Sequence, residues 1–189
     1  MKLIPSFQID HTRLKPGIYV SRRDEIKDGW ITTFDIRLKM PNREPALHPG
    51  ASHTMEHIVA TYLRNSAWKD SVVYFGPMGC LTGFYFITRT EKKIGPRDVE
   101  KLIRAAFKFQ ASFVGAIPGA RAAECGNHLL HDLPMAKLEA KTYLAKKLSF
   151  VYPKCHLAAR FFPPGPFVAS VRRRAAIGKS SKHGCNFLV

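Results

Sequence analysis

One segment near the start of the chain constrains the fold more than any other. From residue 30 to residue 39, mostly large apolar side chains at even positions alternate with mostly polar side chains at odd positions. The even positions are Trp30, Thr32, Phe34, Ile36 and Leu38. This period of two is typical of a half-buried β-strand. Such a strand needs neighbouring strands and a second layer over its apolar face, so the sequence predicts a sheet packed against another layer.

Further patterns supply the rest of that architecture. Short strands are predicted at 17–23, 72–75 and 83–90, and helices at 52–65, 96–114 and 132–148. Asp132 is the expected N-cap of the last helix. Apolar residues at core spacing include Val99, Ile103 and Phe107 in the second helix, and Leu138 and Tyr143 in the third. Strands in meander order with helices between them predict an α+β fold, in which a mainly antiparallel sheet packs against helices.

Composition and charge indicate the class of protein and its domains. The 189 residues are 46% hydrophobic and 23% charged, which suits one globular domain and excludes disordered, collagen-like and coiled-coil chains. Lys and Arg number 30 against 14 Asp and Glu, a net charge of +16. Residues 149–189 hold seven basic residues and no acidic one. We therefore expect one globular domain over 1–148 and a basic, Pro-rich, loosely attached tail over 149–189.

The compartment is predicted from the cysteines and the apolar runs. The four cysteines are spread over positions 80, 125, 155 and 185 and suggest no disulfide framework, which favours a reducing cytoplasm. No apolar run approaches the roughly 18–20 residues of a membrane helix. Pro5 makes the first ten residues a poor signal peptide. Membrane attachment is therefore not expected, and the interleaved charges of 1–148 argue against nucleic-acid binding by the domain itself.

The sharpest chemical motif is His53-Thr54-Met55-Glu56-His57 in the first predicted helix. Residues four apart on a helix lie on one face, so His53 and His57 can direct both imidazoles at one ion. Glu56 lies beside them, close enough to move protons next to a metal. The order matches the inverted zinc-helix motif His-x-x-Glu-His. This pattern predicts a first-row transition metal.

Two cysteines are candidates for a role beside that helix. Cys125, in the turn Glu124-Cys125-Gly126, is a possible third ligand, although a lone cysteine is more often a small core residue. Cys80 lies between Gly79 and Gly83, which allow the backbone to present its thiol in a tight loop. A thiol near a divalent cation has a lowered pKa and can act as a base, an acid or a nucleophile. A buried structural cysteine is the alternative.

Several motifs in combination resemble the S-ribosylhomocysteine lyase (LuxS) family, whose members make the precursor of autoinducer-2. The matching segments, in the family's order and at near-family spacing, are Ser6-Phe7 with Asp10-His11, Phe34-Asp35-Ile36-Arg37 with Pro41-Asn42, His53-Thr54-Met55-Glu56-His57, Pro77-Met78-Gly79-Cys80 with Thr82-Gly83, Glu124-Cys125-Gly126, and Leu133-Pro134-Met135-Ala136-Lys137. Any one segment is weak evidence, whereas six in register are specific. They span residues 3 to about 148.

The resemblance implies a function and a set of roles. It implies an α+β homodimer with active sites at the subunit interface, and one Fe²⁺ per subunit that Zn²⁺ or Co²⁺ can replace. The metal ligands would be His53, His57 and Cys125, and Cys80 with Glu56 would transfer protons. The residues that it places near the substrate are Ser6, Phe7, His11 and Arg37. The implied reaction releases homocysteine and 4,5-dihydroxy-2,3-pentanedione from S-ribosylhomocysteine.

The sequence departs from the family pattern at two positions and leaves alternatives open. Tyr74 stands where many relatives have an acidic residue, and Leu81 stands where Arg or Gln is common. One alternative is a metallopeptidase built on the inverted helix motif, for which a carboxylate third ligand is expected. The other is an inactive lyase-like domain that binds nucleic acid through its basic tail.

Overall fold

The structure is a computed structural model that describes residues 9–153. Over this range the chain forms four strands and three longer helices. They are β1 (Gly17–Ile26), β2 (Gly29–Arg37), α1 (Pro49–Arg64), β3 (Val72–Pro77), β4 (Gly83–Thr90), α2 (Pro96–Ser112) and α3 (Leu133–Ala145), with a short 3-10 turn at Lys69–Ser71. Every strand pair is antiparallel. The predicted α+β fold is therefore confirmed. Within the described range, no helix is long and apolar enough to cross a membrane.

The strand order differs from the predicted meander. The order in the sheet is β1-β2-β4-β3, so β4 lies between β2 and β3. The chain leaves β2, forms α1, and adds β3 at the far edge. The tight β3–β4 hairpin then returns β4 to pair with β2, where Phe86 lies opposite Phe34. The meander prediction was wrong because α1 carries the chain past the position next to β2.

Several helix boundaries also differ from the prediction, most of all the start of α1 and the end of α3. Helix α1 begins at Pro49 rather than Ser52, because a proline is favourable in the first turn, where its missing N–H costs nothing. Asp132 is confirmed as the N-cap of α3, since its carboxylate accepts a 2.9 Å hydrogen bond from the Met135 N–H. Helix α3 ends at Ala145, so Leu148 lies outside it.

The core lies between one face of the sheet and the helices. From α2, the predicted residues Val99, Ile103 and Phe107 are fully buried. From α3, Tyr143 is buried as predicted, but Leu138 is 55% exposed. The prediction for Leu138 was wrong because α3 packs through a narrow stripe of small residues, Ala136 and Ala140, at a spacing of four.

Strand β2 is buried on both faces over its second half, and not on one face only as its alternation predicts. Asp35 is only 2% exposed and Arg37 only 5%. The second face is covered by the segment that follows α3: the Tyr152 hydroxyl donates a 2.8 Å hydrogen bond to Asp35, and its ring stacks on Tyr19 at 4.5 Å. Ser149 also pairs with Gly17 at the start of β1. Residues 149–153 thus pack on the sheet, and the rest of the predicted tail lies outside the described residues.

Candidate metal centre and active site

Helix α1 and a long loop together hold two imidazoles in fixed orientations. His53 and His57 lie one helical turn apart on α1. The Nδ1–H of His53 donates to the carbonyl of Leu130 at 2.7 Å, and that of His57 donates to the carbonyl of Pro118 at 2.8 Å. Both acceptors belong to the loop between α2 and α3. A carbonyl partner on Nδ1 leaves the lone pair of Nε2 free to bind a metal, and this kind of support is usual for metal-binding histidines.

The two Nε2 atoms lie close to each other and to a thiol. They lie 3.1 Å apart, and the Cys125 Sγ lies 3.4 Å from the Nε2 of His53. The backbone N–H of Asn127 donates to the same sulfur. A fourth residue, His131, belongs to the cluster, whose ligand atoms all lie within 4.8 Å of one another.

The donor atoms fit a transition-metal ion. With both Nδ1 atoms protonated, two nitrogen lone pairs face each other at 3.1 Å, which is repulsive unless a cation lies between them. In a tetrahedral site with ordinary Zn–N and Zn–S bond lengths, neighbouring ligand atoms lie about 3.3–3.7 Å apart. The observed 3.1 and 3.4 Å are close to that range. The cluster contains Cys125 and His131 where a peptidase of the inverted-motif kind would be expected to supply a carboxylate.

The structure places the predicted third ligand and adds a residue that sequence analysis missed. Cys125 is half-buried and reaches the site from the α2–α3 loop, as the family resemblance implies. His131 lies in the same loop, six residues further on, with its ring stacked on His53. A histidine that follows a candidate cysteine ligand so closely is the sequence signal that would have pointed to it.

An open pocket of about 560 Å³ lies in front of the cluster. Glu56 lines it beside the two histidines, and Tyr74 faces it from β3. Burial raises the pKa of Glu56, although the neighbouring histidines oppose that shift. Burial and the Glu56 charge likewise raise the pKa of Tyr74. Tyr74 thus occupies the wall of the pocket, where the family pattern has an acidic residue.

Cys80 is presented by the turn that joins β3 to β4. The N–H of Leu81 donates to the carbonyl of Met78, and Leu81 has a φ of 53°, so a leucine adopts the left-handed conformation here. Gly83 is required, since a Cβ there would lie 2.4 Å from the carbonyl oxygen of Ile36. A glycine is not required at position 79, because a Cβ on Gly79 would meet nothing within 4 Å.

The surroundings of Cys80 favour its thiolate. Arg37 donates to the Thr82 hydroxyl and, at 3.7 Å, to the Cys80 sulfur. Because that hydroxyl already accepts from a guanidinium, its own proton is free to point at the sulfur, 3.1 Å away. Burial alone would raise the pKa of the Cys80 thiol, but the Thr82 hydrogen bonds and the Arg37 charge lower it below its ordinary value. Cys80 is exposed and is not among the residues that line the metal pocket.

Of the residues that the resemblance places near the substrate, the structure describes Arg37 and His11. Arg37 is buried in an ion pair with Asp35, and that charge raises its pKa against the effect of burial. His11 bonds through Nδ1 to the carbonyl of Ile9. Burial raises the pKa of the Asp35 carboxyl, and the charges of Arg37 and His11 oppose that shift. Ser6 and Phe7 lie outside the described residues.

A Cys-His₂ cluster on an α+β fold, with a second, activated thiol on a neighbouring turn, defines a metal-binding domain equipped for proton transfer. Comparison with known proteins is consistent with that class: the S-ribosylhomocysteinase (LuxS) family model matches residues 4–152. The chain therefore belongs to the S-ribosylhomocysteinase (LuxS) family.

Named relatives support the same assignment. The S-ribosylhomocysteine lyase of Phocaeicola vulgatus is 57% identical over 149 residues, which cover 78% of this chain and 91% of the relative. That of Porphyromonas gingivalis is 54% identical and is covered over 92% of its length. That of Desulfotalea psychrophila is 52% identical over 155 residues, 82% of this chain and 96% of the relative.

Proposed function

We propose that this protein is a carbon–sulfur lyase that converts S-ribosylhomocysteine to homocysteine and 4,5-dihydroxy-2,3-pentanedione. The observation that carries the proposal is the convergence of His53, His57 and Cys125 beside Glu56, together with a separate activated thiol at Cys80. Relatives that this chain matches over more than nine-tenths of their length carry the name S-ribosylhomocysteine lyase. The peptidase and nucleic-acid alternatives gain no support from these observations.

The proposed reaction explains why these residue types are needed. The sulfur at C5 of the sugar leaves only when C4 carries a removable proton next to a carbonyl. The carbonyl must therefore move from C1 to C2 and then to C3, which requires proton transfers on both carbon and oxygen. Correctly placed acid–base groups accelerate such steps by roughly 10²–10⁴-fold each. At least two protein groups are therefore needed. One transfers protons to and from carbon, and the other transfers protons to and from oxygen.

We assign one metal ion per subunit to His53, His57 and Cys125, with Fe²⁺ as the native ion and Zn²⁺ or Co²⁺ as substitutes. The nitrogen and sulfur donors support a first-row transition metal. When bound, the ion supplies a Lewis acid that stabilises negative charge on the sugar oxygens. The two carbonyl partners of the histidines hold the Nε2 atoms in place, which preserves the geometry of the site between turnovers.

The two proton-transfer roles follow from the surroundings of each group. Cys80, whose pKa is lowered, supplies a thiolate that takes protons from carbon. Arg37 and Thr82 stabilise that thiolate by donating hydrogen bonds to the Cys80 sulfur. Glu56, inside the metal pocket, moves protons among the sugar oxygens. Burial raises the pKa of Glu56, which suits a group that must both accept and return a proton.

The structure favours a revised role for Arg37. The resemblance implies that Arg37 lies near the substrate, where it would pair with the carboxylate at the amino-acid end. In this chain its guanidinium already donates to Asp35, Thr82 and the sulfur of Cys80. We propose that Arg37 stabilises the thiolate, and pairing with the carboxylate stays a prediction, as do the substrate contacts of Ser6, Phe7 and His11.

We propose that the enzyme is a cytoplasmic homodimer whose active sites are completed at the interface. Two observations support a dimer. The edge strand β3 exposes Val73 and Tyr74, at 46% and 41%, next to the metal pocket. Within residues 9–153 of one chain, Glu56 lines the metal pocket and Cys80 does not, so a second chain could bring the two proton-transfer groups together.

We also propose that the catalytic domain extends to residue 153, five residues beyond the predicted boundary. The family match ends at residue 152, and Ser149 and Tyr152 contact the sheet through hydrogen bonds. A chain that ends at residue 153 should therefore fold and retain its activity. A chain that ends at residue 148 should be less stable, because it lacks the hydroxyl of Tyr152 that binds the buried Asp35.

The experiment that tests the proposed function measures thiol release from S-ribosylhomocysteine by anaerobically purified, iron-loaded protein. The wild type should release homocysteine. Cys80→Ala should lose at least 100-fold in kcat while it keeps its metal. Cys155→Ala is the matched control, since it removes a cysteine outside the family match, and it should keep full activity. The absence of thiol release from metal-loaded wild type would refute the lyase assignment.

A further inference from the structure

The hydrogen bonds of Thr54 determine which nitrogen of His131 carries the proton. The buried Thr54 hydroxyl donates its single proton to the carbonyl of Gly50 at 2.8 Å. It also accepts the backbone N–H of Asp132 at 2.9 Å and lies 3.2 Å from the Nδ1 of His131. Because a hydroxyl has one donor and two acceptor sites, the Nδ1 of His131 must be the donor.

The other nitrogen of His131 is therefore a bare lone pair. Nε2 is buried and has no hydrogen-bond partner among residues 9–153. His131 belongs to the ligand-atom cluster with His53, His57 and Cys125. A buried acceptor without a partner destabilises the folded protein, so a group that donates a hydrogen bond to it would be bound favourably.

The ring planes separate His131 from the two ligand histidines. A metal ion binds in the plane of an imidazole, along the lone pair. The planes of His53 and His57 cross at 81°, so one ion can lie in both. The ring of His131 instead stacks on His53, with 15° between the planes and 4.3 Å between the centroids. An ion in the plane of His53 consequently lies outside the plane of His131.

We propose that His131 is not a metal ligand but a positioning residue, whose Nε2 accepts a hydrogen bond from the oxygen ligand that completes the coordination of the ion. Because the ring of His131 is stacked on that of His53, an ion in the plane of His53 would not lie along the lone pair of the His131 Nε2. In the proposed lyase, this interaction would hold a proton-bearing water or sugar hydroxyl and disfavour ligands without a proton. The inference rests on the proposed metal site and does not depend on lyase turnover.

The test compares wild type, His131→Phe and His53→Phe after loading with Co²⁺. Phenylalanine at 131 keeps a ring to stack on His53 but removes the acceptor. Metal content per chain and the thiolate-to-cobalt absorption band measure ligation. Azide titration of the cobalt spectrum then measures the open position, because azide has no proton to donate and gives up the hydrogen bond that bound water makes.

His131→Phe should keep one cobalt per chain and the thiolate band, whereas His53→Phe should lose the metal. Azide should bind His131→Phe about 2- to 10-fold more tightly than wild type, as expected for one neutral hydrogen bond. Loss of cobalt from His131→Phe would make His131 a ligand and overturn the proposal. An unchanged or weaker azide affinity would also overturn it. Failure of the wild type to bind cobalt would refute the metal site itself.

Discussion

The Thr82 hydroxyl is the group whose removal most directly probes the activation of Cys80. Thr82→Val keeps the shape of the side chain and deletes the hydroxyl that lies 3.1 Å from the Cys80 sulfur. The buried guanidinium of Arg37 also loses one acceptor but keeps Asp35. The thiolate should therefore become less stable relative to the thiol, and the pKa of Cys80 should rise.

The size of the effect follows from the hydrogen bond and the exposure of the thiol. A hydrogen bond to a charged group contributes about 1.5–3 kcal/mol. Cys80 is exposed, so solvent screening reduces the contribution to about 1 kcal/mol. Since about 1.4 kcal/mol corresponds to tenfold, the ratio of thiolate to thiol should fall about fivefold. The more basic thiolate is also about twofold more nucleophilic, because thiolate reactivity rises with pKa with a Brønsted slope of about 0.4–0.5.

The assay is iodoacetamide alkylation of the peptide that contains Cys80, followed by mass spectrometry across a range of pH on metal-loaded protein. Thr82→Val should react about two- to threefold more slowly than wild type at low pH and about twofold faster at high pH, so the two profiles cross. Thr142→Val, which deletes a hydroxyl bonded within α3, is the control and should follow the wild type. Superimposable profiles for Thr82→Val and wild type would refute the account of the thiolate.

Three further predictions concern packing and assembly. Gly83→Ala should lower the free energy of unfolding in urea by about 2 kcal/mol or more, because its Cβ would lie 2.4 Å from a carbonyl oxygen of β2. Gly79→Ala, whose Cβ would meet nothing within 4 Å, should stay within about 0.5 kcal/mol of wild type. Equal losses of stability in the two variants would contradict the turn geometry. Tyr152→Phe removes a donor from the buried Asp35 and should cost about 1–3 kcal/mol by the same measurement, and no loss would show that residues 149–153 do not stabilise the sheet. Val73→Arg places a charge on the exposed edge strand and should shift the proposed homodimer towards monomer in light scattering. The free energy of unfolding of the monomer should change little. An unaltered dimer would exclude this edge from the interface.

Local features of the sequence predicted most of the elements and half of the site. The His53–His57 pair is four residues apart on one helix, so its shared face follows from helix geometry alone. The N-cap at Asp132 is likewise decided within a few residues. In both cases the pattern and the structure involve the same short segment.

Contacts between distant residues were not predictable from local patterns. Cys125 lies 72 residues from His53, so local patterns made it only a possible third ligand, and the family resemblance was needed to pair the two residues. The bond between Tyr152 and Asp35 spans 117 residues, which is why β2 was expected to have an exposed face. The strand order depends on the edge of the sheet at which the chain re-enters after α1. The hydrophobic periodicity of the strands does not determine that edge. For His131 the closeness to Cys125 in sequence is a local signal, but its place in the site depends on stacking against the distant ring of His53.

The central claim is that His53, His57 and Cys125 hold one metal ion while Cys80 acts as a separate thiol. Cobalt loading of wild type, Cys125→Ser and Cys80→Ser tests it most directly, with metal content and the thiolate-to-cobalt absorption band as the readouts. The account predicts one ion per chain and an intact band for wild type and Cys80→Ser, and loss of the band with weakened metal binding for Cys125→Ser. A band that persists in Cys125→Ser, or that disappears in Cys80→Ser, would contradict the assignment of the two cysteines.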